Sequence, residues 1–162
     1  MGRLIIKGGT PLAGTIRVSG SKNATLPLMA AAILCHRNVT LRNVPDLTDV
    51  NHMGDALSYA GMKTGFADGI ITVKTEDPSR VHIPYEVSRM MRASIVFLGP
   101  LLASRGKAEV ALPGGCAIGP RPVDLHLKGL SALGADISIS RGVIRAEAGK
   151  LTGAHIYLGG NY

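Results

Sequence analysis

The residues around Cys116 predict an accessible thiol on a glycine-rich loop. Segment 112–127 reads Leu-Pro-Gly-Gly-Cys-Ala-Ile-Gly-Pro-Arg-Pro-Val-Asp-Leu-His-Leu, with Gly114, Gly115 and Gly119 around the thiol. Glycines there let the main chain approach a ligand closely and reach conformations a side chain forbids. Arg121 follows five residues later, between Pro120 and Pro122. Proline restricts its own φ and the residue before it, so this guanidinium sits on a backbone with little freedom and suits bidentate contact with an oxyanion. A cation near a thiol favours the thiolate, and with it reactivity. Spacing alone leaves Cys116 open to an inert, a redox-sensing or a catalytic role, and does not separate acid from nucleophile.

Further candidates lie at helix starts. Lys22 and Asn23 follow Ser19-Gly20-Ser21 at the head of an apolar run, and Arg92 occupies the matching place later in the chain. A cation at a helix N-terminus opposes the helix dipole but adds to an anion site formed by free N–H groups. A solvated surface lysine is the plain alternative for Lys22. Asp124 could cap a helix or touch a ligand. His126 could serve as a base for Cys116, although a packed histidine fits the same spacing. His36, His52, His82 and His155 show no metal-ligand spacing. Neither a Walker loop nor the dinucleotide fingerprint in its strand–helix context occurs.

Composition narrows the partners. The 162 residues suffice for a packed core, and the 46% apolar content argues against disorder. A net charge of +7 favours anionic partners. Lys and Arg are scattered singly, Trp is absent, and only four Tyr and two Phe are available for base stacking. Small phosphorylated ligands therefore fit better than nucleic acid. The apolar runs 26–35 and 95–103 fall short of a membrane span, and no signal peptide is read, so the expected setting is cytoplasmic. Of the two cysteines, Cys35 ends an apolar run and reads as a buried small hydrophobe.

The elements carrying these residues form an internal repeat. The first copy predicts a strand over 14–19, an apolar helix over 24–35 and a strand over 38–44. An amphipathic helix over 49–60, stopped by Gly61, and a hairpin turning at Asp68-Gly69 complete it. The second copy predicts a strand over 81–83, an apolar helix over 87–104 kinked at Pro100, and a strand over 107–112. A helix over 123–133 and a hairpin turning at Arg141-Gly142 follow. Residues 155–158 could begin a third copy. Helices apolar all round are expected in the middle, with sheets as outer walls. Between strand and amphipathic helix the second copy is about five residues longer than the first, and those residues form the Cys116 loop. An insertion that the scaffold does not need is a place for function.

Ser21-Lys22-Asn23-Ala24, Met91-Arg92-Ala93-Ser94 and the run from Pro113 to Leu127 closely resemble the UDP-N-acetylglucosamine enolpyruvyl transferase family. The resemblance runs from about Leu4 to about Leu158. It implies an α/β (α+β) fold of repeated βαβαββ units, an incomplete version of the family's inside-out α/β barrel. Residues 1–21 would be opening strands that pack with a second domain, and 22–162 a partial first domain. The implied reaction moves the enolpyruvyl group of phosphoenolpyruvate to the 3′-hydroxyl of UDP-N-acetylglucosamine and releases phosphate, without a cofactor or metal. By this resemblance Cys116, Lys22 and Arg121 are the catalytic group. Cys116 would protonate the phosphoenolpyruvate methylene, form an adduct with that substrate, and be alkylated by epoxides such as fosfomycin. Lys22, Asn23 and Arg121 would meet phosphoenolpyruvate, and Arg92 with Arg121, Pro122, Val123, Asp124 and Leu125 the nucleotide sugar. Family members are much longer, so this chain is expected to be an N-terminal portion, inactive without the second domain.

Overall fold

The computed structural model describes residues 3–113 and 122–159. Helix α1 (Lys22–Ala31) runs into a 3₁₀ turn (Ala32–Leu34) and leads to β1 (Val39–Arg42). Helix α2 (Thr48–Tyr59) and the hairpin β2 (Met62–Ala67) and β3 (Ile70–Thr75) complete the first unit. The second unit opens with β4 (His82–Ile83) and the short α3 (Tyr85–Ser88). A 3₁₀ helix (Arg92–Phe97) then runs into α4 (Leu98–Arg105), followed by β5 (Lys107–Ala111), α5 (Asp124–Ala132), β6 (Asp136–Ser140) and β7 (Val143–Glu147).

Local chemistry accounts for most of these boundaries. Both hairpins turn through two residues with positive φ, Asp68 (49°) and Gly69 (70°) in one and Arg141 (51°) and Gly142 (75°) in the other. That pair of left-handed residues twists the chain to match the twist of its strands. Helix α2 stops at Gly61 (φ 69°), whose carbonyl accepts the N–H groups of Glu76 and Asp77, each at 2.9 Å. An α-carbon without a side chain is required there: a Cβ on Gly61 would stand 2.0 Å from the Asp77 carbonyl oxygen.

The sheets repeat with one difference. The first is antiparallel with order β1-β3-β2, and the second has order β4-β5-β7-β6 with β4 parallel to β5. The counterpart of β4 in the first unit would be the strand expected over 14–19. It does not form: residues 3–19 are exposed and have no strand, so the opening strands expected over 1–21 are absent from the described part of that range. A strand needs a neighbour for its N–H and C=O groups. Among the described residues, no backbone hydrogen bond joins this segment to β1. Gly20 nevertheless lies against the end of β1, where an added Cβ would fall 1.7 Å from the Asn43 carbonyl oxygen. Residues 148–159 likewise hold no strand.

A single apolar cluster sits between the sheets. Met29 of α1, Met53 and Leu57 of α2, Phe97, and Leu101 of α4 meet Ile71 and Val73 from one sheet and Val110 and Ile144 from the other. Thr72, Lys74, Arg145 and Glu147 face outward from the same strands. Burying each large apolar side chain contributes about 1.5–3 kcal/mol, which makes this cluster the main source of cohesion.

Three expectations about the apolar helices require correction. Helix α1 is buried on one side only, leaving its Leu28 (53%) and Leu34 (48%) of the following 3₁₀ turn exposed, because no described element packs on that other face. Cys35 is exposed rather than buried. Its backbone turns to an extended conformation (φ −95°, ψ 133°) directly after the 3₁₀ turn and leaves the helical face. The single helix expected over 87–104 is three shorter pieces. Winding changes from 3₁₀ to α at Phe97–Leu98, just upstream of Pro100. The proline ring clashes with the carbonyl four residues back, so regular α winding does not extend through residue 96.

Candidate functional site

Two helix starts face a common cleft. Lys22 is the first residue of α1, after Ser21 in an extended conformation (φ −83°, ψ 123°). Arg92 is the first residue of the 3₁₀ helix, after Met91 in a similar one (φ −144°, ψ 129°). The first N–H groups of a helix lack intrahelical partners, so both starts present donors as well as a side-chain cation. The cleft between them measures about 390 Å³ and is lined by Lys22, Asn23, Asp49, Arg92 and His126, with Leu26, Met90, Met91, Ala93 and Ile95 beneath.

Lys22 is held across the cleft. Its Nζ donates to Asp49 Oδ2 at 2.6 Å, from α1 to the first turn of α2. An acid in a first turn is favoured by the helix dipole, and a charge-assisted contact this short is strong for its type. Both side chains remain reachable from solvent, at 44% and 36% exposure. Two cations against one carboxylate leave the lining positive, suited to a small anion.

Lys22, Asn23, Arg92 and His126 line this one cleft. Leu125 and His126 also border a neighbouring apolar groove of about 400 Å³ between Ile95, Leu98, Leu130 and Leu158. Pro122, Val123 and Asp124 lead into α5 without lining the cleft. Asp124 is not a capping acceptor: Val123 holds the cap position and no side-chain cap bond forms, leaving Asp124 as an exposed first-turn acid. Cys116 and Arg121 lie outside the described residues.

Asp49 was missed by sequence reasoning. The available signal was an acid at the start of α2, but nothing in a spacing of 27 residues announces contact with Lys22. A larger hollow of about 520 Å³ lies elsewhere, between α2 and β2, and holds none of the expected site residues. Among the described residues, no group of three or more His, Cys, Asp or Glu side chains could hold a metal. No helix among them is long and apolar enough to cross a membrane.

Residues 6–159 match the family described as EPSP synthase (3-phosphoshikimate 1-carboxyvinyltransferase). The chain belongs to this family. Within it, the chain is 53% identical over 150 residues to the UDP-N-acetylglucosamine 1-carboxyvinyltransferase of Pseudothermotoga lettingae, covering 93% of this chain and 36% of that protein. It is 47% identical over 157 residues to the protein of the same name from Desulfosudis oleivorans, covering 97% and 38%. The chain therefore spans little more than a third of the length of these relatives. The carboxyvinyltransferase fold is also found in the enolpyruvyl transferase NikO from Streptomyces tendae, with TM-score 0.73 at 24% identity over 90% of this chain and 32% of that one. EPSP synthase from Acinetobacter baumannii aligns with TM-score 0.59 at 16% identity over 84% and 32%. Repeated units of helices and sheets are common to the family and this chain, and among the described residues they form no closed barrel.

Proposed function

We propose that this chain supplies one side of the active site of an enolpyruvyl transferase. In this reading phosphoenolpyruvate donates its enolpyruvyl group to the 3′-hydroxyl of UDP-N-acetylglucosamine, the first committed step of peptidoglycan synthesis. The observation that carries the reading is the cleft joining Lys22, Asn23 and Arg92, in a chain whose relatives bear the carboxyvinyltransferase name.

The chemistry is an addition followed by an elimination. Cys116 gives a proton to the phosphoenolpyruvate methylene while the sugar oxygen bonds to the adjacent carbon. Phosphate then leaves that carbon, and a proton leaves the new methyl group to restore the double bond. Negative charge is present throughout on the phosphate, the carboxylate and the nucleotide diphosphate. Fixed cations aimed at these groups lower the barrier because they need no reorganisation as charge shifts. Lys22 and Arg121 take the phosphoenolpyruvate side, with Asn23 beside them. Arg92 and the segment 121–125 take the nucleotide sugar. The groups that accept the sugar proton and close the cleft belong, in this reading, to a second domain found in the longer relatives.

Calorimetric titration of this chain with phosphoenolpyruvate and UDP-N-acetylglucosamine tests the assignment. Weak binding of either is expected, weakened further but still measurable in Lys22→Ala or Arg92→Ala. No binding of either ligand at millimolar concentration would overturn it. Release of phosphate by the chain alone would overturn the part-site reading instead.

The same two-cation cleft also fits a second reading, an anion-binding module of this fold without turnover. Joining the chain to a second domain from a relative separates the two. Restored turnover selects the transferase.

A further inference from the structure

We propose that Asp49 is a positioning residue for Lys22, holding the ammonium ready at the mouth of the cleft; this rests on the phosphoenolpyruvate reading given above. The geometry carries the inference. A lysine has four rotatable side-chain bonds and a compact, strongly hydrated charge, so on its own it samples many positions. At the head of α1 the helix dipole pushes this ammonium away rather than holding it. The 2.6 Å contact from Nζ to Asp49 Oδ2 fixes it. Among the described residues its one hydrogen bond is to Asp49, which leaves two N–H donors for an anion in the cleft.

Asp49 is itself well anchored. It belongs to the first turn of α2, where a carboxylate is favoured, and α2 is fixed by buried Val50, Met53 and Leu57. A rigid acid therefore sets the place of a flexible base. Stability does not explain the contact, since exposed ion pairs contribute little. The neighbouring Arg92 makes no ion pair among the described residues, so the cleft combines one tethered cation with one that a second anionic group can recruit.

The sign of one substitution decides the matter. Asp49→Asn removes a negative charge from an anion site, and on charge alone it would tighten phosphoenolpyruvate binding. Positioning predicts the reverse: weakening by about threefold to tenfold, the cost of newly immobilising one long side chain. Asp49→Glu should recover most of the loss. In a Lys22→Ala background Asp49→Asn should change nothing, an outcome a merely structural role would not give. Nitrogen relaxation of the Lys22 ammonium should show faster motion in Asp49→Asn without any ligand. Equal or tighter binding by Asp49→Asn, equal weakening in the Lys22→Ala background, or an ammonium that stays ordered would each overturn the inference. If the unmodified chain binds no phosphoenolpyruvate, the functional reading fails and this inference falls with it. Unaltered binding by Asp49→Asn defeats the inference alone.

Discussion

Arg105 donates a hydrogen bond from its guanidinium to the Ala60 carbonyl at 2.7 Å, tying the end of α4 in the second unit to the end of α2 in the first. The same nitrogen reaches the Arg80 carbonyl, and the other terminal nitrogen lies 3.5 Å from the Met62 sulfur. Carbonyls at a helix C-terminus lack intrahelical partners and attract cations, so this arginine satisfies groups that the helix cannot. Burial disfavours its charge while nearby Asp77 supports it.

Replacing Arg105 should loosen the junction between the units. Arg105→Ala is expected to lower unfolding free energy by about 2–3 kcal/mol, because hydrogen bonds from a charged donor are lost and carbonyls are left unpaired. Arg105→Lys should recover less than half, since one ammonium does not reproduce a planar fork. Urea denaturation measures both, and a loss below the error of the method would show that the tie is incidental.

Gly61 and Gly142 separate strain from collision. Both have positive φ, yet a Cβ on Gly142 meets nothing within 4 Å, whereas one on Gly61 meets the Asp77 carbonyl. Gly142→Ala should therefore cost only the left-handed conformation, about 1–2 kcal/mol. Gly61→Ala should cost clearly more, because the strand-to-loop contact at residues 76–77 must also shift. Equal melting temperatures for the two variants would contradict this account.

The Gly20 contact tests the placement of the segment before α1. Gly20→Ala should push the chain away from Asn43 and alter amide shifts at residues 43–45, while Gly8→Ala, in open space, should leave them unchanged. Comparison of amide spectra for the two variants decides this.

Asp77 gives the fold a definite response to acid. Its carboxylate accepts the Ser79 side-chain hydroxyl at 2.5 Å and the Ser79 N–H at 3.0 Å, with Arg80 at 3.1 Å on the other oxygen. These donors, the serine first, hold it below the usual aspartate range. A group with a lowered folded pKa adds stability above its unfolded pKa and loses it as pH falls through the folded value. Stability should thus decline as pH drops below about 4, and this part of the decline should vanish in Asp77→Asn. Carbon-detected titration of Asp77 checks the shift, and a midpoint at or above that of an unfolded peptide would reverse the sign.

Epoxide labelling compares the two cysteines. Cys35 is exposed and therefore open to the reagent. Preferential labelling of Cys116 by fosfomycin, found by peptide mass mapping and suppressed in Arg121→Ala, is expected if the guanidinium supports the thiolate. Preferential labelling of Cys35 would remove Cys116 from the catalytic group.

Features decided within a few residues were legible in the sequence. The Asp68-Gly69 and Arg141-Gly142 turns, the glycine stop after α2, and the buried stripe of Val50, Met53 and Leu57 follow from local dihedral preference and periodicity. The repeat likewise announced that Lys22 and Arg92 head equivalent helices. Tertiary structure decided the rest. The apolar pattern at 14–19 specifies only what a strand would bury, and without a hydrogen-bonded neighbour it forms no strand and stays exposed. The all-round apolar character of α1 allowed full burial, but only packing elements deliver it, so Leu28 remains in solvent and Cys35 turns outward. Asp49 reaches Lys22 only because α1 and α2 pack side by side. Local sequence fixes the elements, since dihedral preferences and turns act over a few residues. Contacts between distant charges depend on the docking of whole helices, which no single window of sequence contains.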